Sequence, residues 1–215
     1  ILLTMSYSKT DAFLDALDYL RTAVKKAGKI IRYNADYLFE MSKIYYKTQN
    51  YNKAVDGFIR MLNIFPDYKL HTDILLYLAD ALMKVNRYHN AAFFLIEGIY
   101  KNRSAVNSGS AENKKKFHTL FLKFTELLMK LDKEQREVFR RKYENFTDID
   151  KNLTRIKNNS FDYNERRKAT LLLNNKFLLD GDYENVIANL YRFLRKNGDT
   201  YIRSKFRQYI KEYLK

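Results

Sequence analysis

The sequence predicts an all-α protein built from antiparallel helical hairpins, and three observations carry that prediction. Only six glycines and one proline occur among 215 residues, far below the usage of β-rich or loop-rich chains. Apolar residues recur with a helical period in one segment after another. Short breaks carrying Asn, Asp or Gly separate those segments. A composition of 46% hydrophobic and 30% charged residues suits a folded globular chain, and a mean hydropathy of −0.53 argues against a membrane-embedded body.

The first helix is expected over residues 9–27, with Ser8 and Asp11 as a capping pair and Phe13, Ala16, Leu17, Leu20, Ala23 and Val24 as its apolar stripe. Gly28 ends it. Asn34 caps a second helix to about Lys47, and Asn50 caps a third that stops before Pro66, whose ring disfavours helix at the preceding residue. A second hairpin runs from Thr72 or Asp73 to Val85 and, after a break at Asn86, from Tyr88 to about Lys101. The run Ser104 to Ala111 is rich in Ser and Gly and reads as an exposed loop. A long amphipathic helix follows, carrying Phe117, Leu120, Phe121, Phe124, Leu127, Leu128 and Leu131. Asp132 and Gln135 form a capping box for a partner helix to about Asn145, while residues 146–160 are polar and poorly periodic, with at most a short turn around Leu153 and Ile156. Asp162 and Glu165 box the next helix, which Gly181 stops; Asp182 caps another, which Gly198 stops; Asp199 caps the last. The chain thus divides into an N-terminal helix plus two hairpins (1–103), an exposed loop (104–116), and an irregular hairpin, a third hairpin and a C-terminal helix (117–215).

Residues 35–66 hold the most informative spacing. Leu38, Met41, Ser42 and Tyr45 are followed by Ala54, Phe58 and Pro66. Small side chains are needed where two helices cross closely, and bulky ones fill the space on either side. Leu75, Leu78, Ala79 and Leu82, then Ala91 and Leu95, repeat the frame 37 residues on, with Lys69, Leu70 and His71 as extra length. Thr170, Leu173, Asn174 and Phe177, then Val186 and Leu190, repeat it more faintly. Tyr51, Tyr88 and Tyr183 each precede the small second-helix position by three residues. On these residues the chain resembles the tetratricopeptide-repeat family over 35–66, 72–103 and 167–198, with a departure over 104–166. The resemblance implies an α-solenoid of antiparallel hairpins with an irregular middle and capping terminal helices.

In that family the first helix of each repeat lines a groove that grips a helix or extended segment of another protein. The resemblance places Phe39, Lys43 and Tyr46, and then Leu76, Asp80 and Met83, in such a groove. Phe39, Tyr46, Leu76 and Met83 would be apolar anchors, with Lys43 and Asp80 setting register. The alternative is that these side chains pack on the chain's own next helix. The expected function is a non-enzymatic protein-interaction scaffold working in a hetero-complex.

Charge suggests a second reading. Forty Lys and Arg face 25 Asp and Glu, a net +15, and the stretch from Arg192 to Lys215 holds eight cations against two acids. Arg192, Arg195, Lys196, Arg203 and Arg207 lie there among aromatics, a pattern that suits phosphate contact and base stacking, so the alternative expectation is a nucleic-acid-binding helical repeat protein using its basic C-terminal third; an anionic membrane surface or an acidic partner would be served equally well. Yet Ile202, Phe206, Tyr209, Ile210 and Tyr213 also form one buried stripe with cations on the wet faces. Enzymatic chemistry finds little footing. No phosphate-binding Gly loop, H-E-x-x-H or G-x-S-x-G occurs; cysteine is absent; His71, His89 and His118 form no helical metal pair. No cofactor is expected. The apolar opening Ile1 to Met5, without an initiator Met, suggests the end of a removed signal or anchor, or simply an arbitrary chain boundary. A periplasmic or membrane-associated bacterial protein is the favoured expectation, with a cytoplasmic one as alternative.

Overall fold

The computed structural model describes residues 12–28, 33–68, 71–102, 110–142 and 148–213, among which no strand occurs. The chain divides into two compact units, Ile1–Ser104 and Ala105–Lys215. The first holds α1 (Phe13–Ala27), α2 (Ala35–Lys47), α3 (Tyr51–Ile64), α4 (His71–Lys84) and α5 (Tyr88–Lys101). The second holds α6 (Ala111–Leu128), α7 (Lys133–Lys142), α8 (Ile149–Asn159), α9 (Tyr163–Leu179), α10 (Tyr183–Asn197) and α11 (Thr200–Tyr213). The protein is all-α, and within each unit neighbouring helices pack against each other as expected for a helical repeat.

Local chemistry sets the ends of α2 and α3. Asn34 Oδ1 accepts the Tyr37 amide at 2.9 Å, and α3 ends at Ile64, just before Pro66. Asn50 departs from expectation, because it precedes α3 but its side chain makes no capping bond. The capping pair Ser8 and Asp11, and the extra residues Lys69 and Leu70, lie outside the described residues.

Three hairpins share one turn. Gln49, Asn86 and Gly181 take left-handed φ values of 61°, 60° and 72°. The next residue's amide then donates five residues back, Asn50 to Tyr45, Arg87 to Leu82 and Asp182 to Phe177, each at 2.8 Å. These acceptors are the three bulky positions of the repeated frame. This closure satisfies carbonyls that a helix end leaves open and reverses the chain within three residues. Two of the hairpins accept the left-handed cost at a residue with a side chain, so the sequence signal there is Gln or Asn rather than Gly.

Packing in the first unit runs α1 on α2, α2 on α3, α3 on α4 and α4 on α5, with α2 also touching α4. Ser42, Ala54, Ala79 and Ala91 are fully buried. Ser42 and Gly57 approach closely, so that a Cβ on Gly57 would clash with Ser42 Oγ and lie 3.1 Å from its Cβ. Ser42 Oγ is held there by donating to Leu38 O at 2.6 Å. Gly57→Ala is therefore expected to destabilise the protein, since ~1–3 kcal/mol of overpacking exceeds the ~1 kcal/mol that alanine gains in helix propensity. Adding Ser42→Gly to the same chain should recover part of that loss in a urea-unfolding double-mutant cycle; strictly additive losses would mean that the two positions do not touch.

In the second unit α9 is central, packing on α8, α10 and α6, while α10 packs on α11 and α6 on α8. The apolar side of α6 is buried as expected, from Phe117 to Leu128, and so is Leu131, which lies just past the helix end. Its start differs. Ser110 Oγ accepts the Asn113 amide and α6 begins at Ala111, inside the span expected as loop, because Ala, Glu and three lysines are good helix formers behind a Ser cap. Residues 103–109 of that loop lie outside the described set. The Asp132 cap of α7 is present, accepting the Gln135 amide at 2.8 Å, and α7 meets α6 through Phe139 edge-on to Phe124 at 6.0 Å. Residues 149–159, expected to hold no more than a short turn, form the full helix α8. Asp148 caps it, accepting the Lys151 amide at 3.1 Å, and burial of Leu153 and Ile156 anchors an otherwise polar helix. Asp162, Asp182 and Asp199 cap α9, α10 and α11 as expected.

The third hairpin fills its crossing differently from the first. Asn174 and Asn189 stand fifteen residues apart, as Ser42 and Gly57 do. Asn189 Nδ2 donates to Asn174 Oδ1 at 3.1 Å and to Thr170 O at 3.0 Å, with both residues buried. A bonded amide pair thus replaces a steric fit at the equivalent place.

Candidate functional site

The face expected as a groove lies on α2 and α4 of the first unit. Lys43 and Tyr46 are one helical turn apart on α2, and Leu76, Asp80 and Met83 follow one another at four and three residues on α4; all five are half-buried. Tyr46 joins the two helices, its ring edge-on to Tyr77 at 5.2 Å and to Tyr51 at 5.8 Å. Burial, then the nearby Asp80 carboxylate, push the Tyr46 hydroxyl above the usual phenol range.

Phe39 does not belong to that face. It is only 6% exposed, and its ring packs on Phe58 at 6.4 Å and on Tyr68 and Tyr77 at 6.3 Å each. Tyr77 from α4 and Tyr68 from the segment after α3 cover it, so the anchor expected from the family pattern is core. Tyr68 is fixed in turn by donating its hydroxyl to Asp36 Oδ1. Lys43 is also partly spoken for. Its Nζ lies 3.5 Å from Glu40 Oε2, a carboxylate whose side chain is 8% exposed, and a buried carboxylate holds a cation more tightly than a solvated one does.

The basic residues of the C-terminal stretch are brought together only in part. Arg192, Arg195 and Lys196, on α10, line a concave pocket of about 760 Å³ with Lys157 and Asn158 of α8 and Arg166 of α9. Arg203 and Arg207 instead share a separate depression on α11 with Ser204 and Lys211. Lys157 and Arg166 are the members that sequence reasoning misses. Lys157 Nζ donates to Asn189 Oδ1 at 2.9 Å; burial, reinforced by Arg192 and Lys196, draws its ammonium below the ordinary lysine range. Arg166 Nη1 donates to Ser160 O at 2.8 Å and Phe161 O at 3.2 Å, fixing the turn between α8 and α9.

A third concavity, about 600 Å³, mixes Lys114, Lys115 and Arg155 with Glu112, Asp162 and Glu165. Glu165 does not close the expected box onto Asp162. Its Oε2 accepts Ser160 Oγ at 2.6 Å and meets His118 Nδ1 at 2.9 Å, while the Asp162 amide donates to Ser160 Oγ. Ser160 and His118 thus converge on one carboxylate oxygen rather than on each other, an arrangement that ties the turn before α9 to α6. Among the described residues no group of three or more His, Asp or Glu side chains is placed to hold a metal, and no helix is long and apolar enough to cross a membrane. A scan against protein-family models matches none, and a search of curated proteins finds no match.

Proposed function

We propose that the protein is a non-enzymatic scaffold of tetratricopeptide type, whose first unit binds a helical or extended segment of a partner protein across α2 and α4. The observation that carries this reading is the Tyr46, Leu76 and Met83 face. Three large apolar side chains remain half-exposed on the first helices of two successive hairpins, while the rest of that cluster is sealed among Phe39, Phe58, Tyr68 and Tyr77. Apolar side chains held on a rigid aromatic base lose little freedom on binding, which favours them as anchors. Asp80 beside them selects a partner segment carrying a cation next to its apolar positions. The repeated frame and the shared hairpin turn support the family reading.

The test is affinity purification with nuclease and moderate salt, comparing wild type with Leu76→Glu plus Met83→Glu. A stoichiometric protein partner is expected with wild type, weakened at least about tenfold by the double variant, with helical content by circular dichroism unchanged. Equal retention by both proteins would remove this face from the function.

A further inference from the structure

The pocket between α8 and α10 gathers cations without acids to match them. Several other cations of the second unit sit on carboxylates: Arg167 lies 3.0 Å from Asp199, Lys168 lies 2.9 Å from Glu126, and Lys176 lies 3.0 Å from Asp150 and 2.7 Å from Asp180. No described carboxylate forms an ion pair with Lys157, Arg166, Arg192, Arg195 or Lys196, and none lines the pocket they share. Five like charges around one concavity repel one another, and the fold holds two of them in place with neutral oxygens. Asn189, 4% exposed and tied to Thr170 and Asn174, accepts Lys157 Nζ. The carbonyls of Ser160 and Phe161 accept Arg166. Neutral acceptors orient these cations without cancelling their charge, which leaves it for a ligand.

We infer that this pocket binds a compact, multiply charged phosphate ligand, an oligophosphate group, through Arg192, Arg195 and Lys196 at its rim and Lys157 and Arg166 within. Planar guanidinium forks match the spacing of phosphate oxygens, and a lysine supplies a point charge between them. Concavity favours a small ligand over a strand. Single-stranded nucleic acid needs a continuous basic track, whereas Arg203 and Arg207 occupy a separate depression. The inference concerns the second unit and stands apart from the peptide-binding reading of the first.

Calorimetric titration of the full chain with tripolyphosphate tests it. One saturating equivalent is expected, with affinity falling as ionic strength rises. Arg192→Gln plus Lys196→Gln, both exposed positions, should weaken binding about tenfold or more with helicity intact, while Arg203→Gln plus Arg207→Gln should leave it nearly unchanged. Parallel titrations use a single-stranded oligonucleotide series and vesicles of phosphatidylcholine and phosphatidylserine. Absence of saturable tripolyphosphate binding, equal losses from the two double variants, affinity that grows with oligonucleotide length, or binding confined to vesicles would each overturn the assignment.

Discussion

Phe58→Ala is expected to lower the stability of the first unit by about 3–5 kcal/mol, the range for truncating a fully buried aromatic. Phe58 has no solvent exposure. Its ring stacks on Tyr77 at 5.8 Å with 7° between planes and tilts against Phe39 at 6.4 Å. It belongs to α3 yet touches α2 through Phe39 and α4 through Tyr77, so one truncation opens a cavity where three helices meet. Phe58→Leu keeps most of the volume and should cost much less, about 1.5 kcal/mol or under. Denaturant melts combined with hydrogen exchange in α2, α3 and α4 measure both. A loss below about 1 kcal/mol for the alanine variant would mean that the cluster does not unite these helices.

Asp199→Ala is expected to cost about 3 kcal/mol or more, because one buried carboxylate serves three partners. Asp199 Oδ1 accepts the Ile202 amide at 2.9 Å and caps α11, Oδ2 accepts the Tyr163 hydroxyl, and Arg167 Nε lies 3.0 Å from Oδ2 as an ion pair. Arg167 is held there over the Tyr201 ring at 4.9 Å. Behind them Ile202 packs with Leu190 and Phe193, so releasing the cap also loosens the apolar seat of α11. Burial raises the carboxyl pKa, but the Tyr163 hydroxyl, the Ile202 amide and Arg167 together hold it below the ordinary Asp range. A depressed folded value means that the contribution is complete above the unfolded pKa of about 4 and drains away as pH falls through the folded one. Protection of the α11 amides, taken relative to their intrinsic exchange rates, should therefore fall below about pH 4 in wild type. Asp199→Asn can still cap α11, loses the Arg167 pair, and should show a smaller loss with a flatter acid limb. A wild-type acid limb no steeper than that of the Asn variant would show that Asp199 is not the titrating group.

Where a helix end depends on one or two neighbouring residues, the sequence already contained it. Asn34, Asp182, Asp199 and Pro66 act within a turn of their own position, and the helices they bound stand where their spacing predicts. Helix α8 is faint in the sequence because its apolar residues, Ile149, Leu153 and Ile156, make a single short stripe in an otherwise polar segment; its stability comes from α9, a neighbour that no local window contains. The site was less legible. Phe39 follows the family pattern of a groove residue, and only the arrival of Tyr68 and Tyr77 from later in the chain turns it into core. Arg192, Arg195 and Lys196 are visible as a basic run, but nothing along the chain tells that α8 and α9 bring Lys157 and Arg166 to the same concavity while Arg203 and Arg207 go elsewhere. The Asp162 and Glu165 spacing was a true cap signal that concealed the second carboxylate's other engagement, with His118 forty-seven residues away.

The two ways of closing a hairpin crossing bear on how the chain avoids tangling as it emerges. Ser42 fits Gly57 because glycine has no side chain, whereas Asn189 is held against Asn174 by donating a hydrogen bond to its side-chain oxygen. An exchanged pairing would set Asn174 against Gly57, leaving a buried carboxamide with no mate, and would press Ser42 against the bulk of Asn189. Both mismatches penalise misassembly between look-alike repeats, the characteristic hazard of such chains. The first helix of each of these two hairpins is thereby keyed to its own second helix.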